Sequence, residues 1–80
     1  MNPRVKELKV LDDYALELVF TNGERGIFSA KPYLDYPVYG PLRNYDLFKT
    51  ARVTFGFVSW GDDIDMSPDN LYLESRKLVA

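Results

Sequence analysis

The chain has 80 residues, 46% hydrophobic and 15% aromatic, which is the size of one small domain, and we expect residues 1–80 to fold as a single unit. Its formal net charge of −2 and pI near 4.9 disfavour general nucleic-acid binding, because such proteins need Lys and Arg to displace counterions from phosphates. The sequence lacks cysteine and histidine, which excludes disulfides, Ser-His-Asp and Cys-His catalysis, and nearly every zinc site.

The first seven residues alternate charged and apolar side chains and contain no continuous apolar run, so they do not have the pattern of a signal peptide. No later segment approaches the ~18 consecutive apolar residues of a membrane-spanning helix. The absence of cysteine also favours a reducing compartment. We therefore expect a cytoplasmic protein without a membrane partner.

Period-two patterning predicts three antiparallel strands near the N-terminus: 5–11, 14–20 and a third ending at about residue 30. The first hairpin allows two registers. A three-residue loop at 12–14 pairs Val10 with Leu16 and Leu8 with Leu18, whereas a two-residue turn would place a lysine and a glutamate on the buried face. Because a slip of one residue exchanges the faces of a strand, burial favours the three-residue loop.

The second hairpin contains Asn22-Gly23, which predicts a type I′ turn because both residues accept a positive φ. This turn would set Phe20 opposite Arg25 and Leu18 opposite Ile27. The core face of the sheet would then carry four apolar side chains: Leu16, Leu18, Phe20 and Ile27.

Residues 31–46 lose periodicity and hold three prolines, so one short helical turn is expected there, at 32–35. Asn44 can cap a short helix that runs to about Thr50, with Leu47 and Phe48 turned inward.

Two short strands follow, 52–55 and 57–60, broken by a tight turn or bulge at Gly56. Ser67, followed by Pro68 and an aspartate, has the composition of a helix start. The last helix is expected at 68–77, with Leu71 and Leu78 on one stripe and Arg76 and Lys77 near its C-terminal end. The predicted class is α+β: an antiparallel sheet of about five strands, made of a three-stranded N-terminal meander and a short C-terminal pair, with a short middle helix and a C-terminal helix.

Four tyrosines of the proline-punctuated segment are candidate protein-interaction residues: Tyr33, Tyr36, Tyr39 and Tyr45. Tyrosine offers a large contact area with few rotatable bonds and a polar tip, and irregular segments often carry binding. The alternative is an ordinary lid whose rings pack over the sheet. Both interpretations hold if one edge of the lid stays exposed to a partner.

Three basic residues around the middle helix are candidates for a basic strip: Arg43, Lys49 and Arg52. Arg4 and Lys6 are its candidate neighbours. A strip of this size is usually a solvated face, and the acidic total makes direct nucleic-acid binding the less favoured interpretation.

One carboxylate cluster lies near the C-terminus: Asp62, Asp63, Asp65 and Asp69. A divalent-cation site or an acid/base pair is one interpretation, but the ligand spacing, central glycine and closing glutamate of an EF-hand loop are missing. Turn and helix-dipole chemistry explain these residue types. The five glycines fit neither the dinucleotide nor the P-loop spacing. We therefore expect no metal, no cofactor and no catalytic residue, and a protein that is not an enzyme.

Several short motifs follow one another along nearly the whole chain. They are Asn22-Gly23-Glu24, Pro32-Tyr33-Leu34-Asp35, Pro41-Leu42, Val53 to Trp60, and Asp65 with Pro68-Asp69 before Leu71-Tyr72. In these the chain resembles the bacterial family called domain of unknown function 2442. The resemblance implies a compact α+β domain without agreed catalytic residues. The chain departs from the family pattern at Gly61-Asp62-Asp63, where members commonly have a longer turn.

Members of that family occur alone or joined to a helix-turn-helix segment, often beside genes for another small uncharacterised family. The resemblance therefore implies an antitoxin-like partner role. Since this sequence stops at Ala80, no attached DNA-binding segment is expected.

The function predicted from the sequence is a small interaction module that binds another small protein or a second copy of itself. The alternative is a regulatory domain that contacts nucleic acid directly or through a partner.

Overall fold

The computed structural model of the chain describes residues 2–78, which form two antiparallel sheets and a few short helices. The larger sheet has the order β1-β2-β3-β7, and its strands are β1 (Val5–Leu11), β2 (Ala15–Phe20), β3 (Arg25–Ser29) and β7 (Arg76–Lys77). The smaller sheet has the order β4-β5-β6, with β4 (Arg52–Thr54), β5 (Phe57–Trp60) and β6 (Ile64–Met66). The predicted α+β class is confirmed. The strand pairs form two sheets, and β6 and β7 were not predicted.

The first hairpin has the predicted register. Leu8 lies opposite Leu18 and Val10 opposite Leu16, with a loop at residues 12–14. Leu16 and Leu18 are fully buried. Burial of this face therefore selects the register, as expected from the one-residue slip argument.

The register predicted for the second hairpin is wrong by one residue. Leu18 lies opposite Gly26 and Leu16 opposite Phe28, so Phe28 is on the buried face and Ile27 on the opposite one. Phe20 accepts a hydrogen bond from the Gly23 amide, and in this turn Gly23 has the positive φ, at 90°.

A local hydrogen bond explains the observed register of the second hairpin. The Asn22 side chain accepts a hydrogen bond from the Glu24 amide, at 3.0 Å, which closes an Asx turn. With one left-handed residue, the connection becomes a three-residue loop instead of a type I′ turn. The two-residue loop with two positive φ angles lies elsewhere, at Phe55 and Gly56.

Residues 31–43, called the lid below, form two consecutive 3₁₀ helices, Lys31–Asp35 and Pro37–Arg43. The first agrees with the predicted turn, and the second was not predicted. Each begins with a proline in its first two positions, where the missing amide costs nothing. Leu34 and Leu42 are buried, so the lid covers one side of the core.

Two α-helices follow, α1 (Tyr45–Phe48) and α2 (Pro68–Glu74). Asn44 caps α1 as predicted by accepting a hydrogen bond from the Asp46 amide, although the helix ends before residue 50. In the described residues, no helix combines the length and the apolar character needed to cross a membrane.

The last helix is shorter than the predicted span of 68–77. It ends at Glu74, and Arg76 and Lys77 extend as β7 to pair with β3. Leu78 is therefore not on the helical stripe of Leu71 and is 41% exposed. Gly26 permits this pairing, because a Cβ atom there would lie 2.8 Å from the Ser75 Oγ atom.

Replacing Ser67 with alanine should lower the free energy of unfolding by about 1 kcal/mol, the usual effect of removing a serine cap. The Ser67 Oγ atom accepts a hydrogen bond from the Asn70 amide at 3.2 Å, and alanine leaves that amide without this partner. Urea denaturation followed by circular dichroism measures the change, with Ser67→Asp as the matched variant that keeps a capping oxygen. A midpoint equal to that of the wild type would contradict the cap.

The core joins both sheets, the lid and both helices. The buried apolar residues are Val5, Leu16, Leu18, Phe20, Phe28, Ala30, Leu34, Leu42, Phe48, Val58, Trp60, Met66 and Leu71. Trp60 contributes both a hydrogen bond and an aromatic contact to this core. Its Nε1 donates to the Phe48 carbonyl at 2.9 Å, and the two rings stack with centroids 5.9 Å apart. The sheets are also tied together directly, since the Val5 amide donates to the Gly56 carbonyl.

Candidate functional site

The structure separates the four candidate tyrosines into two groups. Three are partly buried, and their hydroxyls donate hydrogen bonds: Tyr33 to the Asn70 side chain, Tyr39 to the Asp65 carbonyl and Tyr45 to the Leu11 carbonyl. These bonds connect the lid and α1 to α2, β6 and β1. Tyr33 and Tyr39 therefore hold the lid in place, and Tyr45 holds α1 against β1.

Tyr36 differs from the other three. It lies between the two 3₁₀ helices and is 57% exposed. It lines an open cleft of about 310 Å³ together with Ser29, Pro32, Tyr33 and Glu74. We call these five residues the tyrosine face.

The tyrosine face has a firm base. The Tyr33 ring lies 5.4 Å from the buried Phe28 ring and 6.1 Å from the Tyr36 ring. The Tyr33 hydroxyl is bonded to Asn70 of α2. An exposed ring is thus supported by a second ring that the core and a helix both hold.

Tyr39 is a contact of the lid with the smaller sheet. Burial raises the pKa of its phenol, and the nearby Asp65 raises that pKa further. The hydroxyl therefore stays protonated at neutral pH and remains a donor to the Asp65 carbonyl at 3.2 Å. The exposed apolar neighbour of Tyr36 in the lid is instead Val38, also 57% exposed, which sequence reasoning missed.

The three cations of the candidate basic strip each contact a carboxylate or a carbonyl oxygen nearby. Arg43 pairs with Asp35 at 3.1 Å and Lys49 with Asp46 at 3.3 Å. The Arg52 guanidinium donates to the Gly61 carbonyl at 2.9 Å. Two of the three cations therefore lie beside an acidic group that reduces their local positive potential.

The aspartates of the C-terminal cluster lie on different elements. Asp62 and Asp63 follow β5 in the turn to β6, Asp65 belongs to β6, and Asp69 lies in the first turn of α2. Within residues 2–78, no group of three or more potential ligands is placed to hold a metal ion. Asp62 and Asp63 instead lie at a second cleft.

This second cleft, called the Trp60 groove below, has a volume of about 440 Å³ and a mainly apolar lining. Its wall is built by the lid, α1 and the β5–β6 turn. The residues that line it are Val38, Pro41, Leu47, Trp60, Gly61, Asp62, Asp63 and Ile64.

One titratable pair is perturbed outside these clefts. The Glu24 carboxylate accepts hydrogen bonds from the Tyr72 hydroxyl at 2.7 Å and from the Asn22 side-chain Nδ2 at 2.6 Å. The Tyr72 bond first, and the Asn22 bond next, lower the pKa of Glu24, and the same pairing raises the pKa of Tyr72. Both groups therefore keep their ordinary protonation state at neutral pH, whereas a general acid needs the opposite shift in a carboxyl group.

Sequence reasoning also missed Phe55. This side chain is 87% exposed at the tip of the β4–β5 hairpin, and its φ of 49° is left-handed. The available signal was Phe55-Gly56 between two short strands of apolar pattern, a position where a turn usually carries a polar residue.

These features define a small α+β domain whose surface includes the tyrosine face, the Trp60 groove and exposed aromatic side chains. The family model described as protein of unknown function (DUF2442) matches residues 5–77. The chain therefore belongs to this family, as its motifs predict. No curated protein and no solved structure matches the chain.

Proposed function

We propose that this domain is a protein-interaction module that binds its partner through the tyrosine face. The observation that carries the proposal is Tyr36, a large aromatic side chain that is 57% exposed beside an open cleft. Aromatic anchors of this kind dominate the binding energy of many interfaces.

The supported position of the ring favours binding. Tyr36 rests on Tyr33, which the core and α2 hold in place. A preorganised anchor loses little conformational freedom on association, so more of the contact energy appears as affinity.

The cleft also indicates the chemistry of the partner. Its apolar part is formed by Pro32, Tyr33 and Tyr36, and its charged residue is Glu74. An apolar side chain flanked by a lysine or arginine fits this combination. We place the module in the cytoplasm, and an antitoxin-like partner role is the most concrete form of the proposal.

Two further observations support binding over catalysis or nucleic-acid contact. The perturbed Glu24 and Tyr72 keep their ordinary protonation states at neutral pH. Arg43 and Lys49 each lie beside an acidic residue. We propose a module without a metal, a cofactor or a membrane partner.

Replacing Tyr36 with alanine should weaken partner binding by about 2 kcal/mol or more, roughly 30-fold, as expected for an aromatic hot spot. The chain is used to capture proteins from its native host, the product of the neighbouring gene is monitored, and the affinity of the recovered partner is measured by calorimetry. Because Tyr36 is exposed, the free energy of unfolding of the variant should stay within about 0.5 kcal/mol of the wild type.

Leu78→Ala is the matched control, since it shortens another exposed apolar side chain outside the tyrosine face. It should bind the partner like the wild type. Unchanged affinity in a folded Tyr36→Ala variant would refute the tyrosine face, and Arg43→Ala, Lys49→Ala and Arg52→Ala would then test the basic strip.

A further inference from the structure

The β4–β5 hairpin presents Phe55 in a way that the fold does not require. Its two-residue loop, Phe55-Gly56, has φ angles of 49° and 87°, the pattern of a type I′ turn. The first of these positions favours asparagine or glycine because its φ is positive, and it disfavours a bulky side chain. The turn therefore carries an unfavourable residue whose ring is also 87% exposed.

Hydrogen bonds from the two residues Arg4 and Val5 hold the backbone of this turn in place. The Arg4 guanidinium donates to the Phe55 carbonyl through Nε at 3.1 Å and Nη2 at 2.6 Å. The Val5 amide donates to the Gly56 carbonyl at 2.9 Å. The phenyl ring thus projects from a fixed support that carries the positive charge of an exposed arginine.

The Trp60 groove lies at the other end of the same hairpin. Phe55 lies in the two-residue turn that precedes β5, and the Gly61-Asp62-Asp63 turn directly follows that strand. A four-residue strand separates these two ends by about 13 Å, so the Phe55 ring does not reach the groove of its own chain. A second copy can bring its ring there.

The two ends are complementary. One end carries an apolar ring beside the Arg4 cation. The other is an apolar groove of about 440 Å³ with Asp62 and Asp63 among its lining residues. Opposite charges beside matching apolar surfaces favour one orientation of two copies over others.

We propose that copies of this chain associate head to tail, with Phe55 of one copy in the Trp60 groove of the next and Arg4 facing Asp62 and Asp63. Such an interface is heterologous, because the two copies contribute different surfaces. Every assembly keeps one free ring at one end and one free groove at the other, so the assemblies grow with concentration. The proposal goes beyond the proposed function, since it does not use Tyr36 or its cleft.

Sedimentation velocity over a series of protein concentrations in low-salt buffer tests this association. The weight-average sedimentation coefficient of the wild type should rise with concentration, and added salt should reduce the rise by screening the charges. Phe55→Asn should remain monomeric, and its denaturation midpoint should not fall, because asparagine accepts the left-handed turn position. Val38→Lys, at an exposed residue of the groove, should also remain monomeric.

A mixture of the two variants is the decisive arm. Val38→Lys retains Phe55, and Phe55→Asn retains the groove, so an equimolar mixture should form a 1:1 dimer that does not grow further. Leu73→Ala removes another exposed apolar side chain and should associate like the wild type.

Three results would overturn the proposal: a monomeric wild type throughout the series, association of Phe55→Asn equal to the wild type, or a mixture that stays monomeric. If the mixture of the two variants stays monomeric although the wild type forms dimers, the two copies meet through a symmetric interface. A monomeric wild type that loses a foreign partner on Phe55→Asn substitution would assign Phe55 to that partner. Neither result bears on Tyr36→Ala, which tests the tyrosine face separately.

Discussion

Replacing Trp60 with alanine should lower the free energy of unfolding by about 3–5 kcal/mol, the usual cost of removing a large buried aromatic side chain. Trp60 is 1% exposed and stacks on Phe48. Its indole nitrogen donates to the Phe48 carbonyl, and the variant leaves that acceptor without this donor. A domain of 80 residues has about 4–12 kcal/mol of stability in total, so we expect this variant to be marginally folded or unfolded.

Urea denaturation followed by circular dichroism measures the loss, since the variant has no tryptophan for fluorescence. Trp60→Phe keeps a ring against Phe48 but lacks the donor, and its loss should fall between those of the wild type and the alanine variant. Leu73→Ala, at an exposed apolar position, should stay within about 0.5 kcal/mol of the wild type. A loss below 1 kcal/mol for Trp60→Ala would show that the aromatic centre does not hold the sheets together.

Replacing Gly56 with alanine should destabilise the domain by about 2 kcal/mol, within the range of a strained left-handed residue. Gly56 has a φ of 87°, and an added Cβ would lie 2.8 Å from the Arg4 Cβ atom. Relief of this contact displaces Arg4 or the turn, which weakens the hydrogen bonds of Arg4 to the Phe55 carbonyl and of Val5 to the Gly56 carbonyl.

Gly40→Ala is the matched control, because a Cβ atom there meets no atom within 4 Å and no positive φ is required. It should be neutral or stabilise by about 0.4–1 kcal/mol through the unfolded state. Thermal and urea denaturation of the pair compare the two glycines. Equal midpoints for the two variants would mean that the β4–β5 turn and Arg4 adapt without cost.

The elements that follow from local chemistry were predictable. The first hairpin register follows from the burial of Leu16 and Leu18, and the caps Asn44 and Ser67 act on amides two or three residues away. The second register was not predictable from Asn22-Gly23, because a side-chain bond within the turn competes with the type I′ geometry. That competition is decided by small energy differences that residue preferences do not rank.

The candidate site was predictable as a segment but not as individual side chains. The prolines and tyrosines of residues 31–46 marked an irregular covering segment, and the structure places the lid there. Which ring stays exposed depends on partners distant in sequence: Asp65 accepts from Tyr39, and Asn70 accepts from Tyr33. Tyr36 is 57% exposed, and Phe55, at the tip of a hairpin, is 87% exposed.

By itself, the sequence determined the α+β class, the first hairpin, the helix starts and the exclusion of histidine and cysteine chemistry, because these depend on residue type and short-range spacing. Only the tertiary structure decided that the strands form two sheets, that α2 stops at Glu74 so that β7 can pair with β3, and that two clefts flank the lid. Contacts between distant segments set these features, as when the bare backbone of Gly26 admits Ser75. Periodicity and turn propensity report only on neighbours along the chain.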